Sequence, residues 1–288
     1  MTTPGSVQPA SAVEHWRSMV EAERAQSARV SDRAAGGPAQ RWSQGRAEAF
    51  RADPHRDGDH DVELISRFVG ADQTLLDVGA GAGRIALPLA LRCEEVIAVE
   101  AAPSMATILK EEAAKAEISN VTLIEGRWQD VEPPSADVVL CWNVLNYVED
   151  IGAFMKKVDA HARERVLVVL HEVSPMAQVY PFWRRVHGGE PARSPGLAEL
   201  LAVLWELDIH PDLQMLPPRP RTLQSREAAR EQMRGRLGVA PGSPEDARLE
   251  EALDELLEER SGSLTVRGAS VVREGLLTWR PGTRSGAA

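Results

Sequence analysis

Three glycines, Gly79, Gly81 and Gly83, stand between two acids, Asp77 and Glu100. Glycine adopts positive φ at no steric cost and lets a ligand approach the main chain closely. The helix expected just beyond them would turn its free N–H groups toward an anionic group. Glu100 is well placed to accept hydrogen bonds from both hydroxyls of a ribose. The pattern predicts a ligand site made of bare backbone and flanked by two carboxylates.

The surrounding residues predict the elements that hold this site. A short apolar run, Leu75-Leu76, comes before Asp77, a helix is expected from Arg84 to about Leu91, and a second apolar run covers 96–99. This strand, turn, helix, strand order is typical of a parallel α/β sheet. Ligands of such sheets bind at the carboxyl ends of the strands, where both acids would lie.

The string from Asp77 to Gly83, DVGAGAG, resembles motif I of the class I S-adenosylmethionine-dependent methyltransferases, an acid followed by G-x-G-x-G. The G-x-G-x-x-G/A turn of nicotinamide and flavin enzymes fits less well: counted from Gly79 its last position is Arg84, which fails, and counted from Gly81 it is Ala86, which the pattern only just allows. Asp77 would repel a pyrophosphate but attract a cationic ammonium and sulfonium ligand. An NAD(P)-dependent oxidoreductase with a Rossmann fold stays as an alternative.

The resemblance implies a doubly wound, mostly parallel seven-stranded α/β sheet whose last strand is antiparallel. It implies S-adenosyl-L-methionine as the cofactor, with the first acid near the methionine end and the second acid on the ribose. The cofactor-binding residues that it implies in this stretch are Asp77, Gly79, Ala80, Gly81, Gly83 and Glu100.

A third strand, 121–124, is followed by Gly126-Arg127-Trp128 and then Asp130. In the resembled family this position surrounds the adenine, usually with Gly-Asp where this chain has Gly-Arg. Arg127 and Trp128 are therefore predicted cofactor contacts, and either Trp128 or Asp130 would replace the usual polar partner. The alternative is that Trp128 is a core residue, since tryptophan is mostly buried.

The fourth strand, 136–140, ends in CWNVLNY, which resembles motif IV, the segment beside the transferable methyl group. Asn143 is the predicted polar contact to cofactor or acceptor, and Tyr147 is a catalytic candidate. The other interpretation of Asn143 is that it only caps a turn. Cys141 lacks the Pro-Cys context of cytosine-C5 enzymes, which favours a small core residue.

The fifth strand, 165–170, ends at His171-Glu172. An imidazole beside a carboxylate could take a proton from an oxygen or nitrogen acceptor, so both residues are catalytic candidates. A hydrogen-bonded residue on the rim of the sheet, without a catalytic role, is the alternative.

The rest of the chain predicts additions around this core. Trp16 and Trp42 in the N-terminal helices would either close over the ligand or pack the extension onto the core, and packing is favoured. The expected divisions are a disordered tail 1–12, a helical cap 13–57, a cofactor-binding core 58–172, a helical substrate cap 173–261 inserted between the fifth and sixth strands, the last two strands in 262–282, and a loose tail 283–288.

Two features of the later chain carry further expectations. Leu264–Val266 and Leu276–Trp279 are predicted as the last two strands. The helix expected over 223–237 carries four arginines, which either read an anionic group on the substrate or, as favoured, form a solvated face.

Composition limits the classes of function. The formal charge of −10 over 288 residues argues against a general nucleic-acid surface, which needs a dense basic face. The two cysteines lack metal-ligand spacing, and no metal is expected. Neither a signal pattern nor a long apolar run appears, which predicts a soluble cytoplasmic protein.

The functional hypothesis is methyl transfer to an O, N or C of a small molecule. A protein or RNA methyltransferase and a protein that only senses the cofactor remain alternatives.

Overall fold

The computed structural model describes residues 11–33, 47–218, 222–260, 262–269 and 271–282. Within these ranges the chain forms a seven-stranded sheet with helices on both faces and a smaller two-stranded sheet. Trp42, the first ten residues and the tail from 283 lie outside the described residues, so the expectations for them stay predictions.

Five strands of the large sheet run parallel, in the spatial order β3-β2-β1-β4-β5. The antiparallel strand β9 follows β5, and β6 forms the edge beyond it. The bounds are β1 Thr74–Val78, β2 Glu95–Glu100, β3 Val121–Glu125, β4 Ala136–Trp142, β5 Ala162–His171, β6 Asp212–Met215, β7 Leu257–Arg260, β8 Ser263–Val266 and β9 Glu274–Trp279. The predicted α/β class, the mostly parallel sheet and the antiparallel last strand are confirmed.

Nine α-helices lie within the described residues. Their bounds are α1 Ala12–Arg33, α2 His60–Ser66, α3 Ala86–Ala90, α4 Pro103–Lys115, α5 Ile151–His161, α6 Tyr180–Val186, α7 Leu197–Glu206, α8 Arg226–Leu237 and α9 Pro244–Leu256. Helices α1, α5 and α7 cover one face of the sheet, and α2, α3 and α4 cover the other. The central strands are apolar on both sides because both faces are covered.

One predicted strand of the large sheet is wrong. Leu264–Val266 lies in β8, which pairs antiparallel with β7 across a tight turn at Gly262. The seventh strand of the large sheet is instead β6, next to β9. Its four residues, DLQM, are all exposed, so β6 lacks the apolar pattern that marks a central strand.

Helices α6, α8 and α9 form their own apolar cluster, which lies in the segment between β5 and β9. Three of the four arginines of α8, Arg226, Arg230 and Arg234, are held by acids of the neighbouring helix. Arg226 donates to Glu250 at 2.8 Å, and Arg234 donates to Asp246 at 2.8 Å, which holds the pKa of Asp246 below its usual range. These side chains pair within the protein, as the favoured interpretation of a structural helix face expects. Arg219 and Arg221 lie outside the described residues.

The N-terminal helix α1 is tied to the core by Trp16. Its ring is fully buried, and its Nε1 donates to the carbonyl oxygen of Val148 at 2.7 Å. At the start of the same helix, the Ser11 hydroxyl donates to Glu206 at 2.6 Å. Trp16 therefore packs the extension onto the sheet, as the favoured interpretation expects. No helix in the described ranges is long and apolar enough to cross a membrane.

Replacing Trp16 tests this anchoring. Trp16→Ala is expected to lower the free energy of unfolding by about 3 to 5 kcal/mol, because it empties a fully buried site and leaves the Val148 carbonyl unpaired. Trp16→Phe should cost less, since most of the packing stays. Urea denaturation followed by circular dichroism measures both, with the exposed Arg17→Ala as control. A loss for Trp16→Ala no larger than that control would contradict the anchoring role.

Candidate functional site

The glycine turn leaves the end of β1 and crosses to the end of β2. Gly79, Gly81 and Gly83 all have positive φ, of 79°, 59° and 82°. The N–H groups of Gly79 and Ala80 donate to the Val99 carbonyl at 2.8 and 3.1 Å, which fixes the turn against β2. The order β2-β1-β4 makes this the point where the chain's connections reverse direction, and ligands of doubly wound sheets bind there.

Gly79 and Gly81 differ in what surrounds them. A Cβ on Gly79 would lie 2.7 Å from a methyl carbon of Val144, so this glycine permits close packing of the turn on the segment after β4. A Cβ on Gly81 would meet no atom within 4 Å among the described residues. Gly81 therefore borders open space, which a ligand against the turn would occupy.

Glu100 ends β2 beside this turn and is buried. One carboxylate oxygen accepts from the Gly81 N–H at 2.7 Å, and the other accepts from the Ala102 N–H at 2.7 Å. Each oxygen keeps a second lone pair, so the carboxylate can still accept hydroxyl protons. The backbone bonds thus orient Glu100 without using up its capacity for the two hydroxyls of a ribose.

Asp77 is only 2% exposed, and its Oδ1 has no hydrogen-bond partner among the described residues. Burial, followed by the nearby Glu100, raises the pKa of Asp77 to about 7, while Arg84 acts in the opposite direction. A buried carboxylate oxygen without a donor is costly in the absence of a ligand. This arrangement suits a ligand that brings a positively charged donor.

A second oxygen in the same situation belongs to Asn143. This residue follows β4 directly, has φ of 52°, and carries a buried Oδ1 without a partner in the described part of the chain. Its backbone N–H donates to the Val169 carbonyl at 2.8 Å. Strands β1 and β4 are paired neighbours, with Asp77 opposite Leu140. The two unsatisfied oxygens therefore stand at adjacent strand ends.

His171 ends β5 on the same edge of the sheet and is 8% exposed. Its Nδ1 lies 3.4 Å from Oε1 of Glu274, which is opposite it in the β5–β9 register. Glu172 is exposed, and its backbone N–H donates to the Arg273 carbonyl. Tyr147 is 43% exposed on the rim. Of the three catalytic candidates, only His171 is buried at this edge.

The two predicted adenine contacts differ in burial. Trp128 is buried, with its ring 5.1 Å from that of His161 and 6.1 Å from that of Phe154. Helix α5 packs against the ring, which fits the alternative of a core residue, and the cofactor contact of Trp128 stays a prediction. Arg127 is exposed, with its guanidinium 3.9 Å from the carboxylate of Asp130. Arg127 and Asp130 stay predictions as polar contacts.

Cys141 is fully buried in β4, and burial raises the pKa of its thiol. A thiol in that setting is a core residue, as expected, since the thiolate is the reactive form.

Sequence reasoning missed Glu274. Its carboxylate accepts from the Asn143 side-chain amide at 2.5 Å in addition to facing His171. The one available signal was an acid at the start of the last apolar run, and only the register of β9 against β5 shows that it faces the site.

Residues 75–165 match the family described as a methyltransferase domain. The probable ribosomal RNA small subunit methyltransferase A of Methanosphaera stadtmanae is 35% identical over 79 residues, which cover 27% of this chain and 29% of that protein. The ribosomal protein L11 methyltransferase of Alkaliphilus oremlandii is 31% identical over 103 residues, 33% of each chain. This chain thus spans about a third of the length of these curated relatives.

Solved structures share the fold. The YcgJ protein of Bacillus subtilis has a TM-score of 0.55 at 20% identity, covering 80% of this chain and 100% of that one. A putative methyltransferase of Bacillus halodurans has a TM-score of 0.53 at 14% identity, covering 77% of this chain and 98% of that one. The matched segment contains the glycine turn, both acids and the strand that leads to Asn143, and this part of the chain is similar to a methyltransferase domain.

Proposed function

We propose that this protein transfers a methyl group from S-adenosylmethionine to an oxygen, nitrogen or carbon of a small molecule. The observation that carries the proposal is a pair of buried oxygens at adjacent strand ends, Asp77 Oδ1 and Asn143 Oδ1, to which no described residue donates. A ligand that donates hydrogen bonds would satisfy such buried acceptors, and a positively charged ligand would stabilise the carboxylate. The methionine end of the family's cofactor carries both an ammonium group and a sulfonium.

The other residues of the site fit the remaining parts of this cofactor. Glu100 is held by two backbone N–H groups with lone pairs left for ribose hydroxyls. The open space beside Gly81 allows a ligand to lie against the bare turn. A dinucleotide would instead bring its pyrophosphate toward two carboxylates, at an electrostatic cost. The site therefore favours the sulfonium cofactor over the nicotinamide alternative.

The bound cofactor supplies an activated methyl carbon and a neutral thioether leaving group. The protein's part is mainly to place the acceptor atom in line with the methyl–sulfur bond. With the cofactor bound, methyl transfer would form the acceptor–carbon bond as the carbon–sulfur bond breaks, and the bonding pair would stay on sulfur. If the acceptor arrives protonated, its proton passes to a base, and we assign that role to His171 because it is the buried imidazole at this edge.

A small acceptor is supported by the surroundings of the segment after β4. Asn146 is buried and donates to the Pro195 carbonyl at 2.8 Å, so the segment between β5 and β6 closes against this side of the site. Three of the four arginines of α8 are paired with acids, and the whole chain carries −10. Both features argue against an extended basic surface for nucleic acid, although two of the named relatives are described as RNA and ribosomal-protein enzymes.

Labelled S-adenosylmethionine tests the proposal. The purified protein is expected to bind the cofactor and its demethylated product, and to transfer label into a small-molecule extract. Transfer into bulk RNA or protein instead would favour the macromolecular alternative. Tight nicotinamide binding would overturn the proposal, and cofactor binding without any transfer would leave a sensing role.

Gly81 and Gly188 offer a matched pair of variants. Both have positive φ, and in both an added Cβ would meet nothing within 4 Å in the described structure, so the backbone strain is comparable. Gly81→Ala is expected to weaken S-adenosylmethionine binding about tenfold or more, because its methyl group enters the ligand's space. Gly188→Ala should leave the affinity unchanged. Equal affinities in calorimetry would contradict placement of the cofactor against the turn.

Asp77→Asn separates stability from binding. The unfolded carboxyl titrates near pH 4 and the folded one near 7, so the folded protein binds the extra proton between these values. Stability of the unliganded protein should therefore fall by on the order of a few kcal/mol as pH rises from about 4 to about 7. Asp77→Asn should remove this fall while weakening cofactor binding. Urea denaturation measures the first effect, with the exposed Asp72→Asn as control; parallel pH curves for wild type and Asp77→Asn would contradict the account.

A further inference from the structure

One carboxylate oxygen of Glu274 joins two of the residues assigned above. Oε1 accepts the Asn143 side-chain N–H at 2.5 Å and lies 3.4 Å from Nδ1 of His171. Glu274 is 9% exposed and starts β9, outside the segment 75–165 that matches the family. The last strand of the sheet thereby reaches the site that the first five strands build.

We propose that Glu274 is a positioning residue of the methyl-transfer site, which orients Asn143 toward the cofactor and sets a negative charge beside the imidazole of His171. The inference rests on the proposed function. Its first step is orientation: a carboxylate has no proton to give, so the Asn143 amide must turn its NH₂ group toward Glu274. The amide oxygen then points away from Glu274 as a fixed acceptor.

The location of that acceptor suits the cofactor. Val144, the next residue, lies so close to the glycine turn that a Cβ on Gly79 would come within 2.7 Å of it. Asn143 thus begins the segment that packs on the turn, and it is held by its backbone bond to Val169 and by Glu274. Rotation of the amide would replace an acceptor with a donor beside a positively charged ligand.

The second step concerns His171. An imidazole that takes a proton from the acceptor becomes a cation, and the Glu274 carboxylate at 3.4 Å favours that charged form. The other charged neighbours along these strands are Arg273 and Glu172, both exposed at the same edge. Their charges are screened by water, whereas the Glu274 carboxylate is buried.

The energetic costs gathered here argue against a purely structural role. Asn143 stands at positive φ, its Oδ1 is buried without a partner among the described residues, and Glu274 is a buried carboxylate. A buried ionic group is often no more stabilising than a well-packed apolar one. Residues that break local rules together at a ligand-binding edge are typical of functional sites.

A double-mutant cycle with S-adenosylmethionine alone as the ligand tests the proposal. Glu274→Leu removes the acceptor but fills the space, and we expect it to weaken binding about tenfold, as Asn143→Ala does. The double variant should bind no more weakly than either single variant, because both changes remove the same oriented amide. Glu274→Gln should bind like the wild type, since its amide oxygen can still accept from Asn143.

Stability controls keep the result interpretable. The exposed Glu259→Ala serves as the control variant, and circular dichroism confirms folding before each titration. If Glu274→Leu does not fold, Glu274→Ala takes its place in the cycle. The affinity of Glu274→Gln for S-adenosylmethionine is measured alongside. A positioning role is overturned if the two single variants have additive effects, or if removal of the carboxylate lowers the free energy of unfolding without changing the affinity. Failure of the wild type to bind S-adenosylmethionine would instead overturn the proposed function itself.

Discussion

A buried carboxylate oxygen for which the described residues supply no hydrogen-bond donor is the feature on which the site depends. Asp77 is enclosed by the central strands, and burial raises its pKa to about 7. The free energy given up there in the unliganded protein is recovered when a cationic donor binds. The glycine turn makes room for that donor, since it brings backbone rather than side chains to the ligand.

Other strands at this edge each contribute one residue to the site around Asp77. Strand β2 brings Glu100, already oriented by two N–H groups, and β4 brings Asn143 on a backbone that departs from regular strand geometry. Strands β5 and β9 bring His171 and Glu274 as a cross-strand pair. Each residue is set by the register of a rigid sheet, which places reacting groups more reliably than loops do.

The sequence predicted the parts of the fold whose signals are local. Apolar runs marked the central strands, and the string DVGAGAG marked the turn, because glycine density and strand hydrophobicity are visible within a few residues. The burial of Trp128 stayed open in the sequence, and β6 was not assigned to the large sheet, for a shared reason. The burial of a tryptophan depends on which helix packs over it, and a short exposed strand has no apolar pattern. Glu274 is distant from His171 in the chain, so only the antiparallel pairing reveals their contact.

Proton release on cofactor binding tests the central claim most directly. Calorimetric titration of S-adenosylmethionine in buffers of different ionisation enthalpy counts the protons exchanged. At about pH 6 the unliganded Asp77 is mostly protonated, so ionisation of this residue should release nearly one proton per ligand bound. The release should vanish well above pH 7 and be absent in Asp77→Asn. Tight binding at about pH 6 with no proton released would contradict the role of the buried carboxylate.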